Sequence, residues 1–333
     1  MKNTIIRILI AGLLSGSLTL SADAQTRAAR HPRPPTVSPS ALPEGVSAKD
    51  VRFYSEGIQC YGRVFTPKGF DADSKAPAVV LAPGWGETAA SIEKYAASFA
   101  SRGLVAMAID YRGWGKSGGF LQTADAVKTD DRLRFSQMTA RVRIRRKRLI
   151  PQQQILDIRN ALYYLQGEPG VDRARVGVWG TGMAGGHVVV IAATDARINA
   201  AVAQTPIIEG KDTPMKASAP AGALLQAEQK LARTGASPSS AGVDSDVETR
   251  LALAEYHPFW YVQQIPKTAA VLFVIAEKDT GVNNGANAVA ASKLLKGPTE
   301  VVSIPGANQT QINNGAAFDA AAKAAADWFS KHL

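Results

Sequence analysis

The feature that most constrains this chain is a rhythm that begins near residue 50. Short, uninterrupted apolar runs alternate with segments of helical spacing. Ala78–Ala82, Leu104–Ile109, Val176–Trp179, Ala200–Ala203, Val271–Ile275 and Val301–Ile304 are the runs. Such runs suit strands covered on both faces, because a strand with one wet face would alternate apolar and polar residues. Between them, Ile92, Tyr95, Ala96 and Phe99 fall at helical spacing, as do Ile155, Ile158, Leu162 and Leu165. Ala316 to Leu333 reads as a closing helix. Strands and helices in alternation predict an α/β fold, a mostly parallel sheet with helices on both faces. Val51–Ser55 and Ile58–Phe65, on either side of Glu56-Gly57, predict a leading hairpin.

The ends and one internal stretch depart from the rhythm. Lys2 and Arg7, the apolar stretch Ile8–Leu20 and the small residues Ala22-Asp23-Ala24 read as a signal peptide over 1–24. The apolar stretch is shorter than the roughly 20 residues that span a bilayer. The expected location is therefore the periplasm or beyond. Residues 25–50 are polar and carry prolines, and are expected to form a flexible linker to a domain over 51–333. From about 207 to 256 no strand is evident. Leu224, Leu225, Leu231, Leu251 and Leu253 need somewhere to pack, so a helical cap inserted over the strand ends is expected.

Composition excludes several chemistries. The single cysteine, Cys60, allows no internal disulfide and lies in an apolar strand, where a small buried side chain is the expected role. The four histidines are isolated, no metal-ligand spacing occurs, and no glycine-rich phosphate loop is present. Neither a metal nor a cofactor is expected. The formal net charge of +10 is concentrated: Arg132, Arg134, Arg141, Arg143, Arg145, Arg146, Lys147 and Arg148 lie in one run without an acid. This run reads either as a solvated excursion or as a docking surface for an anionic envelope surface. No aromatic stacking platform accompanies it, so nucleic acid is not the expected partner.

The chemistry-bearing positions surround Gly180-Thr181-Gly182-Met183-Ala184, a tight turn between a strand and a small-residue helix. Leu81-Ala-Pro-Gly84-Trp85-Gly86 follows another strand, Asp110-Tyr-Arg-Gly-Trp-Gly-Lys-Ser117 a third, and Gly170 to Gly180 leads into the turn. Together these segments resemble the α/β-hydrolase superfamily, in particular its bacterial esterase, dienelactone-hydrolase and peptidase-like members. The resemblance covers roughly residues 50–333. It implies a nucleophile, an acid and a histidine in that order, the nucleophile at the centre of a Gly-x-Ser-x-Gly elbow. In this chain the nucleophile position is Gly182, the acid position is Asp279, and the histidine position is Gln309, or Asn308 if the offset slips by one.

Glycine has no atom with which to form an acyl intermediate, and an amide accepts no proton near neutral pH. The resemblance also places Gly84, Trp85 and Met183 around an oxyanion site, with the Trp85 and Met183 N–H groups as donors. The expected function is a catalytically degenerate protein that holds a small acyl or carboxylate ligand, or a partner. Two alternatives stand beside it. One is an atypical hydrolase of esters, thioesters or lactones using Asp279 with a relocated base such as His257; the other is envelope binding through Arg132–Arg148. His187 is expected to be structural, and Glu209 is a weaker candidate for the acid.

Overall fold

The computed structural model describes residues 42–126, 132, 136–209, 226, 229–230, 232–234 and 247–333. The expected signal peptide and residues 25–41 of the expected linker lie outside the described residues. The domain starts earlier than expected, because strand β1 (Ser47–Ser55) takes in the last four residues assigned to the linker. Val46 is buried just before it, which fixes the chain there.

Strand β1 turns through Glu56 and Gly57, both at positive φ, into β2 (Ile58–Thr66), pairing antiparallel. Seven further elements follow: β3 (Ala76–Ala82), α1 (Ala89–Ala100), β4 (Val105–Ile109), a hairpin of β5 (Phe120–Thr123) and β6 (Val142–Arg145), α2 (Pro151–Gln166) and β7 (Val171–Thr181). The chain continues through α3 (Met183–Thr194), β8 (Ile198–Gln204), α4 (Val247–Ala254), β9 (Ala270–Ala276), β10 (Thr299–Ile304) and α5 (Gly315–His332). The eight-stranded sheet runs β1-β2-β4-β3-β7-β8-β9-β10, antiparallel at β1–β2 and β2–β4 and parallel from β4 to β10. Because successive strand residues point to opposite faces, each central strand feeds two cores. Ala78 and Val80 of β3 pack with α2 and α3 on one face, whereas Val79 and Leu81 pack with α1 and α5 on the other. Trp179, fully buried, lies against Tyr95 and Phe99 of α1. Cys60 is buried in β2, and burial pushes its thiol up to about 12, which keeps it protonated and inert.

Two expectations are sharpened. The basic run does leave the main sheet, with Arg141, Arg143, Arg146 and Lys147 exposed, but Val142–Arg145 forms β6 and pairs with β5 in a separate two-stranded sheet. Arg145 and Arg148 both reach Glu248 of α4, at 3.1 and 2.5 Å, and Arg146 donates to the carbonyls of Ser117 and Gly115. Of the leucines said to need packing in the cap, Leu253 is buried but Leu251 is exposed, on opposite sides of α4. Leu224, Leu225 and Leu231 lie outside the described residues.

The motif Asp110 to Ser117 is structural. The Asp110 carboxylate accepts the Ala89 N–H at the start of α1 (2.7 Å) and the Lys116 N–H (2.6 Å). Gly115 has φ +47, and a β-carbon there would sit 2.0 Å from Asp110 Oδ2, so only glycine fits. Arg112 is buried and bound to Asp157 of α2 by its backbone N–H, its Nε and its Nη2, while Nη1 reaches Glu56. This network ties the β1–β2 turn, the loop after β4 and α2 together at the strand edge that also carries the elbow.

Candidate active site

The elbow is built as strand, one residue, helix. Strand β7 ends at Thr181, α3 starts at Met183, and Gly182 between them has φ 56° and ψ −118°. Residues with a β-carbon rarely adopt such a backbone, whereas glycine does so without penalty. Its N–H donates to Gln204 O at the end of β8, and its carbonyl accepts from Gly185 and Ile207. The turn is therefore held from three sides. A β-carbon built on Gly182 meets no atom within 4 Å, so the space above the turn is open.

Two backbone N–H groups stand beside that space. The Trp85 and Met183 N–H groups have no hydrogen-bond partner among the described residues. Met183 opens α3, whose first-turn amides lack intrahelical acceptors and carry the positive end of the helix dipole. Gly84 is buried against the elbow: a β-carbon on it would lie 3.3 Å from the Thr181 carbonyl and 3.2 Å from Glu87 Oε2. Glu87 accepts the Gly84 N–H at 3.0 Å. The sequence reading did not single out this carboxylate, although its contact with Gly84 is only three residues long and an acid just ahead of α1 signals it. Its negative charge favours a neutral carbonyl over a carboxylate at the neighbouring donors.

Across the crest, Asp279 follows β9. Its Oδ1 accepts the N–H groups of Gly281 (2.8 Å) and Val282 (3.0 Å), which fix the carboxylate. Its Oδ2 is buried and has no partner among the described residues. A β-carbon on Gly281 would sit 3.5 Å from Asp279 Oδ1 and 3.0 Å from Gln309 Oε1, so Gln309 and Asp279 flank the same spot. Asn308 is turned elsewhere: its side-chain oxygen accepts the N–H groups of Thr310 and Gln311 in the following helical turn. Gln309 is thus the residue that the fold brings to the acid.

Beneath the elbow lies a second group that sequence reading did not foresee. Gln204 Nε2 donates to Tyr95 Oη (2.9 Å) and Asn313 Oδ1 (3.1 Å), and Tyr95 Oη also donates to Asn313 Oδ1 (2.9 Å). It braces the end of β8, which in turn holds the Gly182 N–H.

The remaining candidates stand apart. His187 is buried in α3; Tyr256 Oη donates to its Nδ1 (2.6 Å) and its Nε2–H donates to Gln154 Oε1 (2.9 Å). Burial lowers its pKa to about 3, so it stays neutral. His257 stacks on Trp260 with ring centroids 4.3 Å apart, and the indole is exposed. Glu209 follows β8, where its backbone N–H donates to Asn287 Oδ1.

The elbow, the loop after β3, the loop after β9 and the Asp110 turn are all arranged as in an α/β-hydrolase. A family model described as acetyl xylan esterase (AXE1) matches residues 41–210, just over half of the chain. The chain belongs to the acetyl xylan esterase family. The matched region takes in the loop after β3, the Asp110 turn and the elbow. The chain is also similar to the quorum-quenching protein AidA of Acinetobacter baumannii, 28% identical over 167 residues, covering 50% of this chain and 46% of that protein. It resembles the thiohydrolase aneE of Aspergillus aculeatus too, at 24% over 155 residues, 46% of this chain and 40% of that one. The chain matches less than half of the length of each of these two relatives. Among solved structures, a hypothetical protein from Pseudomonas aeruginosa superposes with a TM-score of 0.68 at 21% identity, over 88% of this chain and 96% of that one. That likeness is one of fold.

Proposed function

We propose that this esterase-family protein is exported and holds a small neutral acyl group, an ester or thioester, without cleaving it. The Trp85 and Met183 N–H groups would take the carbonyl oxygen, and the open space above Gly182 would take the acyl carbon, where a nucleophile would otherwise stand. The names of the relatives, an esterase family and a thiohydrolase, point to the same substrate chemistry. The observation that carries this reading is Asp279 Oδ2, buried and without a partner, beside an amide at Gln309. An acid that orients a base is useful only when a base is there.

The test uses purified protein with p-nitrophenyl acetate and an acetyl thioester. The expected result is no turnover above buffer, together with saturable binding of phenyl acetate in ligand-observed NMR. Gly182→Asn, which fills the open space, should abolish that binding. Turnover by the wild-type protein would overturn the reading.

A second reading rests on the two carboxylates that flank the crest, Asp279 and Glu87. Either could accept a proton from water attacking a bound carbonyl. It predicts slow hydrolysis that Asp279→Ala or Glu87→Gln abolishes and that Gly182→Ser alone barely raises.

A further inference from the structure

The β5–β6 hairpin has one face that nothing in the fold explains. In its antiparallel register Leu121 sits opposite Ile144 and Thr123 opposite Val142, so these four side chains share one face. Leu121 is 62% exposed, Ile144 63% and Val142 48%. Three β-branched or branched apolar residues in a row on an open sheet face are a cost in water that a surface ribbon normally avoids.

The opposite face shows that the hairpin is not a loose flap. Phe120 is buried beneath the guanidinium groups of Arg148 (5.2 Å) and Arg112 (6.0 Å), and Arg145 and Arg148 grip Glu248. The Trp114 indole N–H donates to Arg148 O, and the Lys147 N–H donates to Gly113 O. The apolar face is therefore held outward on a rigid mount.

Charge then selects the occupant. Between residues 120 and 148 the chain has nine cations against three acids. Arg141, Arg146 and Lys147 are exposed at the two ends of β6, with Arg141 paired to Asp125, while Arg143, exposed too, alternates onto the opposite face. A second copy of the chain would bring like charge to like charge across that contact. An anionic bilayer would instead offer phosphates to the arginines and acyl boundary to Leu121, Val142 and Ile144. We propose that this hairpin is a docking element for an anionic phospholipid surface, with the three aliphatic side chains entering the headgroup boundary and the cations around them at phosphate depth. No described helix is long and apolar enough to cross a membrane, so the contact is one of surface association.

The experiment is vesicle co-sedimentation of the full chain, with pure phosphatidylcholine and with about 30 mol % phosphatidylglycerol. The read-out is the ratio of the two affinities, in which the apolar contribution of residues 8–20 cancels. The wild-type ratio should be about tenfold or more and should fall as salt is raised. Arg141→Gln with Lys147→Gln should lower it about fivefold or more. Leu121→Gln with Ile144→Gln should weaken binding to the anionic vesicles about tenfold while leaving Tm within a few degrees, because both side chains face solvent. Equal affinity for the two compositions, or binding that neither double variant weakens, would overturn the proposal. So would a wild-type dimer that Leu121→Gln with Ile144→Gln converts to monomer, or tighter binding to duplex DNA than to the anionic vesicles.

Discussion

Two sets of polar groups stand in contrast, one in the loop after β4 and on helices α2 and α3, the other around the elbow. In the first set, Asp157 is buried and meets Arg112 three times, Asp110 satisfies two N–H groups, and His187 has a partner on each ring nitrogen. In the second, Asp279 Oδ2 and the Trp85 and Met183 N–H groups have no partner among the described residues, and Gly182 presents no side chain. The first set bears on whether the chain folds, since a buried polar group left unpaired costs more than its bond was worth. The second, on the function proposed above, bears on whether anything reacts. The difference teaches that polar groups at one edge of a sheet can be divided between those satisfied within the fold and those left open to a ligand.

The largest effect that would break this contrast is in the first set. Asp157→Ala leaves the buried Arg112 guanidinium without its main partner and should cost about 3–5 kcal/mol of stability, read by urea denaturation. A loss below about 1 kcal/mol would mean that the network is not structural. Next comes a pH dependence. Burial holds the pKa of His187 near 3 in the folded chain against 6.5 when unfolded, so the unfolded state alone binds a proton as pH falls below 6.5. Stability should therefore drop on acidification, by about 2 kcal/mol from this group between pH 6.5 and about pH 5. His187→Gln should remove that part of the slope; parallel slopes for the two proteins would refute the assignment.

The smallest effect should lie on the crest. Asp279→Asn keeps an oxygen for the Gly281 and Val282 N–H groups and puts an amide where the unpaired oxygen stood. Its effect on stability should be within about 0.5 kcal/mol, or slightly favourable. A cost of about 2 kcal/mol or more would show that the carboxylate still has a structural duty.

Much of this contrast is legible in one dimension, and the rest is not for physical reasons. The central strands declare themselves because burial on both faces leaves little choice of residue, as Ala78–Ala82 and Val271–Ile275 show. Gly182 is legible because a strand and a helix bracket it. Strand β6 is harder to see, since Val-Arg-Ile-Arg carries so much charge that its alternation reads as solvation; Arg145, and Arg148 just beyond the strand, turn out to be anchored by Glu248, about a hundred residues away. Leu251 reads as core because it is apolar, yet its helix turns it outward. The Tyr95–Gln204–Asn313 group depends on contacts between distant segments, which no local pattern encodes, whereas Glu87 folds back only three residues onto the Gly84 N–H and was legible in principle. The choice between Asn308 and Gln309 rests on a local detail, the capture of the Asn308 side chain by its own turn.

The central claim is that the crest is intact but lacks its reacting atoms. The measurement that tests it most directly is labelling by a fluorophosphonate, with turnover of p-nitrophenyl acetate, in wild type, Gly182→Ser, Gln309→His and the pair together. A serine without a base and a base without a serine should both be nearly inert, because members of such a unit act together. The account predicts that only the double variant labels and turns over, at least about 100-fold above either single change. A folded double variant that stays inert, or a wild-type protein that hydrolyses the ester, would contradict it.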